Sequence, residues 1–370
     1  MSPQFVVGTA GRTSPGIVQR CSAVIVQSAE RVRSGRLVRD NGRLYLHSVT
    51  AFIDRNRTRK DTCVRIKRNC MAAQSVRGDG SSKQLLIVGP GVLGSHLGSL
   101  WLDDFGAGSV VGQTKTTNNH EALSGLGIEA RAEGVEGTFP YVAYCAPPSG
   151  SEDYAGDVKK ALERWDGSGN FVFTSSAGVF SVNDGSTCDE SSPVVPMGAN
   201  PRTDALLQAE QAVLDAGGCV MRLVGLYHRT RGPHTFFLKQ GQVARWGGYV
   251  VNMIHYEDAA SICAAVLKGR GAEGQRYRSR VFVGCDDKPV TFEDMMASIE
   301  KSGILSGHVV FTEKDGSDSL GKKMTNDATR RQLQWSPKYS SIIAFFEEHR
   351  ANDWYVSHQD ATKAGAPHTQ

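Results

Sequence analysis

The sequence of 370 residues predicts an α/β protein, a doubly wound parallel sheet with a smaller C-terminal lobe of mixed α and β structure. Three observations predict it. The apolar run Leu85-Leu86-Ile87-Val88 breaks into Gly89-Pro90-Gly91-Val92-Leu93-Gly94 and continues with helical period. Apolar runs of strand length then alternate with helix-period segments over short connections, which is the pattern of parallel strands joined by crossover helices. Beyond Gly225 the alternation loosens, as expected of a second lobe lying over the carboxyl ends of the strands.

Each element has a local reason. In the G-x-G-x-x-G turn, Gly89 lets the chain leave the strand sharply and Gly91 lets a phosphate approach the backbone. Gly94 lets the helix pack closely on the strand. The unpaired N–H groups and positive dipole end of the helix then face a pyrophosphate, with Val92 and Leu93 in its first turn. This is the dinucleotide-binding, or Rossmann, arrangement. Val92, Leu93, Leu97, Leu100 and Trp101 share one helical face. Strands follow at 108–112, 127–130 and 141–146, the last stopped by Pro147-Pro148. That strand ends next to the glycine turn, so Cys145, Ala146 and Pro147 are expected beside the cofactor. A helix is predicted over 154–165 and a strand over 170–174. The next helix is capped by Asn200, has Pro201 in its first turn and is closed by Gly217. A strand follows over 219–223, a loop over 229–233, an Ala-rich helix over 257–267 and a strand over 281–284. Phe292, Met295, Met296 and Ile299 mark a helix capped by Thr291 and closed near Gly303, and Ile342, Phe345 and Phe346 mark the last helix.

Charge divides the chain. Residues 1–83 hold 16 Lys and Arg against 5 Asp and Glu, whereas the remainder holds 26 against 33. Basic charge off the fold argues against a nucleic-acid-binding body. The N-terminal excess is Arg-rich, Ser-containing and poor in acids, as organelle transit peptides are, and the segment around Cys70 resembles a plastid processing site. The expected organisation is a disordered transit segment at 1–70 and a linker at 71–83. The nucleotide-binding domain takes 84–225, the C-terminal substrate lobe 226–358 and a polar tail 359–370. A plastid is the expected compartment, with a mitochondrion as the alternative. No run of about 18 apolar residues suggests a membrane span. Of the eight Cys, none forms a zinc-like spacing with His or another Cys. Cys145, Cys219, Cys263 and Cys285 read as packed thiols, and Cys188, in a Gly/Ser/Asp-rich loop, as the exposed one.

The nucleotide is expected to be NADP(H) rather than NAD(H). An acid about 20 residues past the glycines normally holds the ribose hydroxyls. Here the second strand runs into Gln113-Thr114-Lys115-Thr116, where Lys115 and the hydroxyls of Thr114 and Thr116 suit a 2′-phosphate.

Several segments together resemble the extended and atypical short-chain dehydrogenase/reductases, the NAD-dependent epimerase/dehydratase group, over about residues 84–350. Phe173-Thr174-Ser175-Ser176-Ala177-Gly178-Val179-Phe180 is similar to the family's serine strand. Asp189-Glu190-Ser191-Ser192-Pro193 resembles its D-E-x-x-P loop and Met221-Arg222-Leu223 its L-R segment. Asn252-Met253-Ile254-His255-Tyr256-Glu257-Asp258 resembles its I-H-V-x-D segment, and Leu333-Gln334-Trp335-Ser336-Pro337 its ending. The likeness is greatest to plastid-targeted plant or algal members of the atypical class. It implies a nicotinamide dinucleotide, a small-molecule substrate, Ser176 at the catalytic serine position and Ser175 beside the cofactor. It also exposes a departure. The family's Tyr-x-x-x-Lys pair falls on the helix after Asn200, where Arg202 and Leu206 stand instead, and neither can relay a proton at neutral pH. Three functions stay open. One is an oxidoreductase using Ser176, Arg202 and Tyr227 or His228. Another is a non-catalytic NADP(H)-binding partner of a plastid protein. The third is a nucleotide-sugar epimerase/dehydratase-like enzyme. His255 reads as a residue that orders a helix start, and Lys322-Lys323 as a solvated surface pair.

Overall fold

The structure is a computed structural model that describes residues 83–132, 134–269, 276–316 and 318–348, with the backbone of three strands nearer the N-terminus. It divides into two compact units, residues 1–80 and 81–370. In the first, Ile25–Val26, Val32–Asp40 and Arg43–Ala51 form an antiparallel sheet, the last two paired in register along their whole length. The composition of this stretch predicts no regular structure. The signal it hides is local: Asn41-Gly42, the strongest two-residue hairpin dipeptide, stands between two β-prone runs. The expected processing site near Cys70 and the polar tail lie outside the described residues.

The second unit carries a sheet of seven strands: β1 (Leu85–Val88), β2 (Val110–Gln113), β3 (Glu129–Arg131), β4 (Tyr141–Tyr144), β5 (Phe171–Ser176), β6 (Cys219–Leu223) and β7 (Arg280–Gly284). All pair in parallel, in the order β7-β6-β5-β4-β1-β2-β3. The doubly wound fold read from the sequence is the fold observed. After β3 the chain returns to the opposite side of β1, so the winding reverses between β1 and β4 and opens a crevice at their carboxyl ends.

Helices α1 (Val92–Phe105), α2 (His120–Gly125), α3 (Tyr154–Leu162) and α4 (Pro201–Asp215) alternate with these strands. The sheet is buried on both faces, which is why β1, β4 and β6 are nearly all apolar rather than alternating. One face packs Leu97 and Trp101 of α1 with the Ala-rich α6 (Tyr256–Lys268). The other packs Tyr154 and Val158 of α3 with Leu206, Ala209 and Val213 of α4. The punctuation works as the sequence implies. Asn200 accepts from the Arg202 N–H at 2.8 Å, and Gly217 turns the chain with φ +85°. Thr291 caps α7 (Phe292–Ser302), which Gly303 ends in the left-handed region.

The C-terminal part is threaded differently from the reading that cuts the chain at 225. Strand β7 and helix α6 both return to the sheet, and only the rest builds the lobe. That lobe uses α5 (Pro233–Gln240), α7 and α9 (Ile342–Glu348) around Phe292, Met295, Phe345 and Phe346. Helix α8 (Asp327–Leu333) packs near α6 and β7. A four-stranded sheet joins Asp184–Cys188, Gly321–Met324, Val250–Val251 and Val290–Thr291. Residues 184–188 put Cys188 in this sheet, so it is fully buried with Ala177, Phe180 and Met324 rather than exposed. Among the described residues, no helix is long and apolar enough to cross a membrane, and no three His, Cys, Asp or Glu side chains are grouped to hold a metal.

Candidate functional site

Two clefts open at the carboxyl ends of the strands. The first, about 560 Å3, is built on the glycine turn. Gly89 turns the chain with φ +75°, and a Cβ there would stand 2.7 Å from Ala146. A Cβ on Gly94 would stand 2.9 Å from Ile87 of β1, the close helix–strand approach expected of the third glycine. Gly91 is different: its Cβ would meet no atom within 4 Å. It is the N-cap of α1, with no side-chain cap and no acid in the first turn. The first-turn N–H groups and the positive dipole end of a 14-residue helix therefore start beside open space at Gly91.

The remaining walls are the ends of β2 and β4 and the helix that follows. Gln113, Thr114 and Lys115 line the cleft, as do Ala146 and Pro147. The Tyr154 hydroxyl donates to the Ala146 carbonyl at 2.8 Å and holds this loop against the turn. Thr114 Oγ1 bonds His120 Nε2 at 2.8 Å, and Lys115 Nζ donates to the Gly150 carbonyl at 2.9 Å, across the mouth of the cleft. Lys160 and Arg164 add positive charge to the wall, against Asp157 and Glu163. Thr116 is exposed just beyond. Of the cofactor residues read from the sequence, Gly89, Thr114, Lys115, Ala146 and Pro147 thus meet at one cleft. Cys145 is set back from the opening, where burial pushes its thiol up to about 12. Leu93 is 8% exposed and belongs to the α1 packing face.

Ser175, expected beside the cofactor, lines neither cleft. Successive strand residues point to opposite faces, and Ser175 donates to Glu210 of α4 at 2.5 Å. Glu210 is in turn held by Arg222 of β6 through a 2.7 Å bond, both being almost fully buried. The Arg222 guanidinium lies 4.7 Å from the Phe180 ring. This polar knot adjoins the short turn Ala177–Val179 that follows Ser176.

Ser176 lines the second cleft, about 360 Å3, between the ends of β5 and β6 and the C-terminal lobe. Its Oγ accepts from the Gly178 N–H at 3.1 Å, which leaves the hydroxyl proton to donate. The partners proposed for it from the sequence, Tyr227 or His228 and Arg202, do not join it. Tyr227 is fully buried between His255 and Phe345, its hydroxyl without a hydrogen-bond partner and its pKa pushed up by burial. A strand residue paired to Met253–His255 at the base of the lobe has no route to solvent. His228 is likewise fully buried. Arg202 is exposed on the first turn of α4 and lines neither cleft, while Leu206 is in the core. His255 caps α6 by accepting from the Glu257 N–H at 3.2 Å, the role read for it.

The side chain that the sequence reading missed is Lys322. Far from being a solvated surface residue, it is half-buried in the second cleft and donates to the carbonyls of Phe180 at 2.8 Å and Ala177 at 3.3 Å. Lys323 is exposed as expected.

Solved structures share this architecture. A functionally unknown conserved protein from Silicibacter pomeroyi is 23% identical, with a TM-score of 0.57 over 71% of this chain and 96% of its own. UDP-glucuronic acid 4-epimerase from Bacillus cereus, in complex with UDP-glucuronic acid and NAD, is 16% identical, with a TM-score of 0.58 over 76% of this chain and 99% of its own. A short-chain dehydrogenase/reductase superfamily protein from Agrobacterium tumefaciens with bound NAD is 15% identical, with a TM-score of 0.55 over 72% and 96%. The chain has the fold of these proteins. No family model and no curated protein matches it.

Proposed function

We propose that the protein binds NADP(H) across the Gly89–Gly94 turn and acts as an oxidoreductase on a small molecule held in the second cleft. The observation that carries this reading is the contrast among three glycines. Two are packed too tightly to accept a side chain, and the one at the helix mouth opens onto free space beside unpaired N–H groups. Lys115 at the end of β2, where no carboxylate stands, supports a 2′-phosphate and hence NADP(H) over NAD(H). NADP(H) there would supply a hydride. Ser176 would hydrogen-bond the oxygen of the reacting carbon, with Lys322 as the nearby cation. Titration of the full chain with NADPH and NADH by nucleotide fluorescence tests the nucleotide. NADH binding more tightly than NADPH overturns the preference, and binding of neither overturns the function. Oxidation of bound NADPH by a panel of aldehydes and ketones tests turnover.

A second reading, a non-catalytic NADP(H)-binding partner protein, is favoured by Arg202 and Leu206 standing where a proton relay would be. Tight NADPH binding with no oxidation by any panel member supports it. An epimerase-like reaction draws support from the fold neighbours, but the largely apolar second cleft suits a nucleotide sugar poorly. We also place the protein in the plastid, on the Arg-rich, acid-poor segment at 1–70. A fluorescent fusion of that segment that stays cytosolic overturns this.

A further inference from the structure

Only four residues lining the second cleft have polar side chains: Ser176, Tyr249, Asn252 and Lys322. None is a carboxylate, and the rest are glycine or apolar. Asn252 is committed to the protein. Its Nδ2 donates to the Lys322 carbonyl and its Oδ1 accepts from the Met324 N–H, both at 2.9 Å, and this clamps the strand that carries Lys322. The Lys322 ammonium spans the turn after Ser176 by donating to the Ala177 and Phe180 carbonyls. Among the described residues no salt bridge involves it. An ammonium has three N–H bonds; two carbonyls take two, and one remains. Burial also holds the pKa of Lys322 below the ordinary lysine value, a cost that an arriving anion would relieve. A clamped cation, without counter-charge and set among apolar walls, is a receptor for an anionic group on an apolar body.

We infer that Lys322 binds the carboxylate of a small apolar acid, whose hydrocarbon part packs against Met253, Phe292 and Met295 while Ser176 donates to an oxygen of the same molecule. This rests on the oxidoreductase reading, in which that acid is the substrate. A nucleotide sugar would bring ring hydroxyls and phosphates that need many polar partners, and the cleft offers three.

The test uses the full chain saturated with NADPH, and calorimetric titration with 4-phenylbutyrate and octanoate beside their primary amides. The wild type should bind at least one acid about tenfold more tightly than its amide, the expected size of a charge-assisted bond. Lys322→Met should remove that difference, weakening the acid far more than the amide, and leave NADPH binding unchanged. Lys322→Arg should keep most of it. Equal binding of acids and amides by the wild type overturns the inference, as does Lys322→Met with the acid preference intact. If neither acid nor amide binds while NADPH does, the inference fails and the cofactor reading survives. If NADPH itself does not bind, it is the cofactor reading that fails. If Lys322→Met does not fold, as judged by circular dichroism and NADPH binding, the wild-type contrast and Lys322→Arg decide.

Discussion

The two clefts are built by opposite means. The glycine cleft is made mainly of the ends of β1, β2 and β4 and the helix that follows β4, and the turn beside it needs glycine at three backbone positions. The Ser176 cleft is made of side chains from segments far apart in sequence, with Lys322 reaching carbonyls 142 and 145 residues away. The first should therefore survive changes to the lobe, whereas the second should depend on long-range packing and on buried polar groups being matched.

The largest expected effect tests that dependence. Glu210→Ala would leave Arg222 buried without its carboxylate and Ser175 without its acceptor, at a cost of about 3–5 kcal/mol. Chemical denaturation measures it; a loss under about 1 kcal/mol would show that the knot beneath Ser176 does not stabilise the fold. The next effect is on pH dependence. Asp286 is 3% exposed, and burial, reinforced by Asp287 and Asp258, lifts its carboxyl from 3.8 to about 8 despite the Lys288 N–H and Arg330. Between about pH 4 and 8 the folded chain holds a proton that the unfolded chain has lost. This contribution to stability is thus full below about pH 4 and disappears as pH rises towards 8. Asp286→Asn should flatten that fall and be more stable at alkaline pH by a few kcal/mol. Unfolding midpoints across this range check it, and parallel pH profiles for both proteins would refute it. The smallest effect sharpens the other side. Lys115→Ala should weaken NADPH about tenfold and leave NADH unchanged, as measured by nucleotide fluorescence. Equal losses for both would remove Lys115 from 2′-phosphate recognition.

The same contrast explains what the sequence could say. Gly89, Gly91 and Gly94 are legible because a tight turn, an open backbone and a close helix each need the missing Cβ at fixed spacing, whatever the rest of the fold does. The caps Asn200, Thr291 and His255 are legible for the same local reason. The surroundings of Ser176 are not. Tyr227 lies next to a functional-looking loop in sequence, but pairing with Met253–His255 places it under the lobe. Lys322 has no local sign of burial beside Lys323, and only the pairing of Gly321–Met324 with Asp184–Cys188 and Val250–Val251 brings it to Ser176. Cys188 misleads in the same way, since its polar neighbours hide a strand that buries it. The return of α6 and β7 to the sheet is equally long-range.

The most direct measurement is calorimetric titration of the full chain and of Gly91→Val with NADPH. A Cβ at Gly91 meets no protein atom within 4 Å, and a valine there would occupy the space where a pyrophosphate would approach α1. The predicted result is a variant with stability within about 1 kcal/mol of the wild type and no measurable NADPH binding, beside tight binding by the wild type. NADPH binding equally to both, or to neither, would contradict the assignment of the glycine turn as the nucleotide site.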